Sequence, residues 1–242
     1  MLAFAYVVPI LLISLPELLG GEYLDSPNDF ISSQMNFLTI VIVISVSFFG
    51  SSALVSEFHN RTGYSLFPNP ISRSSIWFGK FFTAIIISFV LSSIFYKVVA
   101  IGAWSIYGTV PEEIISSWAL SFPIIVMITS ISFLFSAVLK SQTAAIVSVF
   151  ILFVLIFPMF EGILVGFADD KPWWLPSFIS KVTEFSMYTP YPSDVNPGEL
   201  PRGPFDQQRY VAYVDESLSL MFAYSILTGI ASIIIFKNKE MY

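Results

Sequence analysis

Few side chains in this sequence could do chemistry. There is one histidine, His59, and no cysteine among 242 residues. Disulfides, thiolate metal sites and a multi-histidine metal centre within one chain are therefore excluded. His59 has no partner that sequence spacing can place beside it, so a solvated or interfacial histidine is the simpler reading. No G-x-x-x-x-G-K-[ST] run is present to cradle ATP phosphates. Neither G-x-S-x-G nor H-E-x-x-H occurs. Two ionisable residues fall in or beside apolar runs, where a charge usually marks function. Lys97 follows Lys80 by 17 residues, about 25 Å of helix, so the two lie near opposite membrane surfaces and Lys97 snorkels. Glu161 falls where an apolar run breaks at Pro158; it sits at an interface or in a polar gate. A secondary transporter would carry an ion ligand near the midplane, and none stands out. A lipid-acting enzyme would need a convergent polar set near one interface, and the sequence offers none.

The elements that must position these residues are membrane helices. The chain is 55% apolar and 12% charged, with 25 Phe; a soluble domain carries about twice that charge. The expected fold is an all-α integral membrane protein, a single transmembrane domain over residues 1–242. Six apolar runs approach the roughly 20 helical residues that cross a bilayer. They cover about 1–19, 37–55, 76–104, 115–139, 143–160 and 218–236. The first is read as a retained span: it has no basic n-region, and its first charge is Glu17. Small residues at 50–53, near Ser130, and at Gly229, Ala231 and Ser232 allow close helix contacts. They fit ordinary packing or a dimer seam equally.

Orientation follows from Lys and Arg in the loops. With both termini cytoplasmic, the inner segments hold Arg61, Arg73, Lys80, Lys140, Lys237 and Lys239. The short outer loops then hold Glu17, Glu22, Asp25, Asp29, Glu112 and Glu113, without Lys or Arg. The sequon at Asn60 faces inward and stays unglycosylated. In the long outer loop, 161–217, the piece MFEGILVGF is too short to cross and is expected to re-enter and return. Trp174, Phe178, Val182 and Phe185 recur at helical spacing. They predict an amphipathic helix at the outer interface, anchored by Trp173 and Trp174. Five prolines between 190 and 204 predict extended polar chain after it.

The loop at 56–75, SEFHNRTGYSLFPNPISRSS, is the most patterned polar stretch. Glu57 stands where the second span leaves the membrane. Gly63 breaks the helix, Leu66 and Phe67 form apolar knobs, and Pro68 and Pro70 stop them. Ser72 is placed to cap the next helix. Two readings fit: a short inner-surface helix that presents Leu66 and Phe67 to a partner, or a plain basic loop with Trp77 as interface anchor.

The segment resembles the signature of ABC transporter permeases of the type-2, exporter-like class. The matching positions are Glu57, Thr62-Gly63 in reversed order, Pro70-Ile71-Ser72-Arg73 and Gly79-Lys80. The six-span layout, the broken fifth span and the short basic tail extend the likeness along the chain. The family usually places an amphipathic helix ahead of the first span; here Met1 opens apolar sequence at once, so either that helix lies upstream of Met1 or this member lacks it. The resemblance implies a coupling helix docked on a separate cytoplasmic ATPase. Glu57, Arg61, Gly63, Leu66, Phe67, Pro70 and Arg73 would carry the coupling, and Gly79 and Lys80 would set the return to the membrane. It also implies two ATPase subunits holding ATP and Mg, with no cofactor in this chain. A second permease chain, identical or paralogous, membrane lipid as surroundings, and a prokaryotic plasma membrane complete the expectation; no nucleic acid is implied. A non-transporting scaffold or regulatory subunit is the alternative.

Overall fold

The computed structural model describes residues 2–18, 23–24, 26–55, 72–168, 170–194 and 210–238. These residues form helices and turns, without strands. The long helices are α1 (Leu2–Leu18), α2 (Pro27–Phe49), α3 (Arg73–Tyr107), α4 (Glu113–Val138), α5 (Gln142–Ala168) and α8 (Val214–Asn238). Two short helices, α6 (Pro176–Ser180) and α7 (Val182–Phe185), lie between α5 and α8. Five helices, α2 to α5 and α8, are long and apolar enough to cross a membrane; α1 has 17 residues. Backbone groups without water must bond within the segment, which is why apolar runs of this length become helices.

Helix ends follow local chemistry. α2 begins at Pro27, not at 37, because Ser26 and Asp29 form a capping pair. The Ser26 hydroxyl accepts the Asp29 N–H at 3.1 Å and donates to the Asp29 carboxylate at 2.7 Å, and Pro27 takes the first-turn position that needs no N–H. α3 ends at Gly108, whose φ of 72° is left-handed; its N–H donates to the Trp104 carbonyl at 2.9 Å.

α5 departs from the expected break. The chain remains helical from Gln142 through Ala168, so MFEGILVGF is no separate re-entrant piece. Pro158 is absorbed at the start of the α-helical stretch Phe157–Ile163, which π-helical stretches flank at Leu152–Ile156 and Leu164–Ala168. The missing proline N–H is accommodated where the register changes, instead of ending the helix.

Consecutive long helices alternate in direction. One end of the bundle carries Arg73, Lys80, Lys140 and Lys237; the other carries Asp29, Glu112, Glu113, Asp215 and Glu216. We call these the basic and the acidic end. α4 packs along α8 and against α3, and α2 lies on α3. The main core sits between α2, α3 and α4, with Ile31, Met35, Ile42, Phe95, Ile124 and Ile128 fully buried. A second core near the basic end gathers Leu54, Trp77, Ala84, Phe133, Ala137 and Phe236. α5 and α8 keep most of their apolar surface outside the fold.

Two of the small residues lie against neighbouring helices of the same chain. A Cβ on Gly50 would stand 3.4 Å from the Ser132 Cβ, and one on Gly229 would stand 4.0 Å from Trp77. The tightest seam joins α1 to α3: a Cβ on Gly102 would meet the Ile13 Cδ1 at 2.6 Å, whereas one on Gly162 meets nothing within 4 Å. Gly102→Leu is therefore expected to destabilise by about 1–3 kcal/mol, the usual cost of overpacking. Thermal unfolding in detergent should show a lowered midpoint for that variant and none for Gly162→Leu.

Candidate functional site

At the basic end, residues 56–71 lie outside the described structure. Glu57, His59, Arg61, Gly63, Leu66, Phe67 and Pro70 lie outside it with them. The structure describes the frame on either side. α2 stops at Phe49, and the Gly50 N–H bonds back to the Val46 carbonyl at 2.6 Å. A turn at 51–54 then carries the chain onto α4. There the Ser136 hydroxyl accepts two backbone N–H groups, from Leu54 at 3.0 Å and Val55 at 3.2 Å. Leu54 and Val55 are buried, so without Ser136 both donors would lack a partner in apolar surroundings.

The other side of the segment is fastened as well. The Ser72 hydroxyl caps α3, accepting the Ser75 N–H at 3.1 Å, as its place in the sequence predicts. The Arg73 guanidinium donates to the Lys237 carbonyl at 2.9 Å, tying the first turn of α3 to the last turn of α8. The Lys80 ammonium donates to the Ala53 carbonyl at 2.5 Å, tying α3 to the turn after α2. Gly79 and Lys80 line a small cleft of about 210 Å³ with Phe49, Ala53 and Thr83. Nothing lies within 4 Å of a Cβ built on Gly79, so its missing side chain leaves that cleft open.

Trp77 is not an interface anchor. It is buried, donates its indole N–H to the Ser232 hydroxyl at 3.0 Å, and stacks on Phe81 with ring centroids 4.7 Å apart. Two turns of α3 thus bond to α8, one through Arg73 and one through Trp77.

The acidic end carries a cap. The stripe expected at the lipid interface faces the bundle instead: Phe178, Val182 and Phe185 are buried, while Trp173 and Trp174 stay exposed at the rim. The reason is polar anchoring on every side. Ser117 of α4 donates to the Thr183 carbonyl at 2.7 Å, and the Asn28 amide of α2 donates to the Met187 carbonyl at 2.7 Å. Thr189 donates to Glu113 at 2.8 Å, and Tyr224 of α8 donates to the Trp174 carbonyl at 2.8 Å. Lys171 bridges Asp194 at 3.1 Å and lies 4.2 Å from the Tyr213 ring centroid. Tyr191 stacks on Tyr213, and burial pushes its phenol well above the usual range. Residues 195–209, with Pro197, Pro201 and Pro204, lie outside the described structure.

Glu161 holds this cap to α5. Its side chain is 9% exposed. One oxygen pairs with the Lys181 ammonium at 2.5 Å, and the other accepts the Ser177 hydroxyl at 2.8 Å. Both partners lie near α6, so the carboxylate is satisfied by the cap. Among the described residues, no three His, Asp or Glu side chains converge on a point that could hold a metal. What both ends offer is mechanical coupling between segments.

Sequence reasoning missed Ser136, because the partner of a helix-end N–H on another helix leaves no local pattern. It also missed the Glu161–Lys181 pair. The start of α2 was missed as well, although it had a local signal: Ser26-Pro27-Asn28-Asp29 is a serine followed three residues later by a carboxylate.

A family model described as ABC-2 family transporter protein matches residues 15–241. The chain belongs to that family. It is a membrane permease of the ABC transporter class, a multi-pass membrane protein from a family that pairs with ABC ATPase subunits. No curated protein matches the chain. In this ABC-2 permease the matched region contains α2 through α8, and so both ends just described.

Two outcomes follow. Ser136→Ala should lower stability by about 1–3 kcal/mol, the cost of orphaned buried donors, read as a drop in the unfolding midpoint that Ser219→Ala, at an exposed position, does not show. Lys181→Ala should cost more, about 3–5 kcal/mol, because it leaves the Glu161 charge buried and unpaired. Glu161→Gln added to that variant should recover much of the loss in the same melt.

Proposed function

We propose that this permease exports its substrate by ATP-driven conformational change, coupled through residues 56–75 to two separate cytoplasmic ATPase subunits. ATP and Mg bind on those partners, and this chain contributes no cofactor and no catalytic residue. A second permease chain, identical or paralogous, completes the pathway. The chain lies in a prokaryotic plasma membrane as six spans, α1 included, with both termini cytoplasmic. The basic end, which holds Arg73, Lys80, Lys140 and Lys237, then faces the cytoplasm, in keeping with the positive-inside rule.

The observation that carries this reading is the double fastening around 56–71. On one side Ser136 grips the turn after α2; on the other Arg73 and Lys80 grip α8 and that same turn. A segment held this way passes a push to α2, α3, α4 and α8 together. A loop serving only as a connection has no need of such anchors. Glu57, Arg61, Gly63, Leu66, Phe67 and Pro70 are assigned to the ATPase contact, Arg73 to the junction, and Gly79 and Lys80 to the return of the chain into the bundle. At the acidic end, Trp173, Trp174, Phe178 and Phe185 belong to a cap over the pathway.

The test is co-purification in mild detergent. A P-loop ATPase should accompany the wild-type chain. Phe67→Asp and Arg73→Glu should each reduce the recovered ATPase by about tenfold or more, as loss of an interface anchor does. Absence of any ATPase from a folded wild-type preparation would overturn the reading and leave a non-transporting scaffold or regulatory subunit in its place.

A further inference from the structure

Lys97 has no ion pair or hydrogen bond among the described residues, and it is exposed on the surface of the bundle. It lines a groove of about 420 Å³ between α3 and α4, with Ser93, Tyr96 and Ala100 on one wall and Ile114, Ile115 and Trp118 on the other. No carboxylate lines this groove. The nearest in sequence, Glu112 and Glu113, stand at the start of α4, and Glu113 is engaged by Thr189.

The depth of the groove is set by its residues. Ile114 and Ile115 fall in the first turn of α4, just inside the carboxylates that mark the acidic end. Lys97 stands ten residues before the last residue of α3, Tyr107, about 15 Å along the axis. An ammonium at this level meets the boundary between headgroups and acyl chains, where lysines reach for anionic groups.

Toward the bilayer centre the groove continues as an aromatic face. Trp118 donates its indole N–H to Ser93 at 2.9 Å, which fixes the ring against α3. Phe89 packs on Trp118 and on Phe122, with centroids 5.2 and 5.5 Å apart. Trp118 and Phe122 are 38% and 47% exposed, so the apolar face is open to an acyl chain. A cation at headgroup level above an exposed apolar track is the complement of an anionic amphiphile.

We propose that the α3–α4 groove binds an anionic phospholipid, its phosphate on the Lys97 ammonium and one acyl chain along Trp118 and Phe122. The assignment rests on the membrane setting alone, whatever cargo the transporter moves.

Trp118 reports on its own groove. The full chain is reconstituted in phosphatidylcholine vesicles containing a small fraction of phosphatidylglycerol. The brominated acyl chain is placed on one lipid or on the other. The difference in quenching between wild type and Trp118→Phe isolates the Trp118 signal from the other four tryptophans. Per mole of brominated lipid, phosphatidylglycerol should quench that signal about fivefold more than phosphatidylcholine, an effect fit for one interfacial charge contact. Lys97→Gln should abolish the preference and Lys97→Arg should keep it, with unchanged quenching of the remaining tryptophans as the folding check. Glycerol phosphate added to the buffer should not compete. Equal quenching by both lipids, or a preference that survives Lys97→Gln, overturns the proposal. Competition by glycerol phosphate as strong as that by lipid assigns the site to a free phosphate instead. A Trp118 signal that neither brominated lipid reaches means that another protein surface covers the groove, which also overturns it.

Discussion

Backbone hydrogen bonding without water governs this structure. Over most of its length the chain has apolar surroundings, so each N–H and carbonyl must find a partner inside the protein. Within helices this is automatic; at helix ends it is not. The places where the chain leaves a helix inside the bundle are the places where specific side chains appear. The Ser136 hydroxyl takes the Leu54 and Val55 N–H groups of the chain that follows α2. The Lys80 ammonium takes the Ala53 carbonyl. At the other end, cap carbonyls at Thr183, Met187 and Trp174 are taken by Ser117, Asn28 and Tyr224. The contacts that close the fold are the same contacts that link one helix to another.

This explains what could be read from the sequence. The long helices were legible because hydrophobic length alone specifies them, and α3, α4 and α8 fall close to the apolar runs. The start of α2 was missed although its capping pair stands in the sequence, because hydropathy marks only the apolar part of a span and Ser26-Pro27-Asn28-Asp29 is polar. Pro158 misled for another reason: in water it would end a helix, but π-helical registers on either side absorb it, so Gln142–Ala168 continues. The amphipathic stripe of the cap was real, but periodicity shows only that a face is apolar and not what it faces. Here the answer was the protein, decided by polar contacts from α2, α4, α5 and α8.

Of the expected coupling residues, Arg73, Gly79 and Lys80 are described, and two of them bond outside their own helix, Arg73 to α8 and Lys80 to the turn after α2. Nothing in local sequence announces such contacts, since their acceptors are main-chain carbonyls at Lys237 and Ala53. Trp77 shows the same limit. Its place at the head of an apolar run suits an interface anchor, yet a hydroxyl on α8 and two phenylalanine rings draw it inward. The Glu161 carboxylate is likewise buried because Lys181 and Ser177 stand where the cap returns.

The length of α3 has a mechanical meaning. Its 35 residues make a rod about 52 Å long, well beyond the roughly 30 Å of hydrocarbon that it crosses. Arg73 marks its foot, and Lys97 rides near its upper third. A rigid rod pivoting at one end magnifies what happens there: a tilt of about 10° carries the far tip sideways by roughly 9 Å. Gly108 and the cap stand at that tip. On the coupling proposed above, α3 would act as a lever, turning a small tilt beside the basic loop into a large displacement at the opposite face.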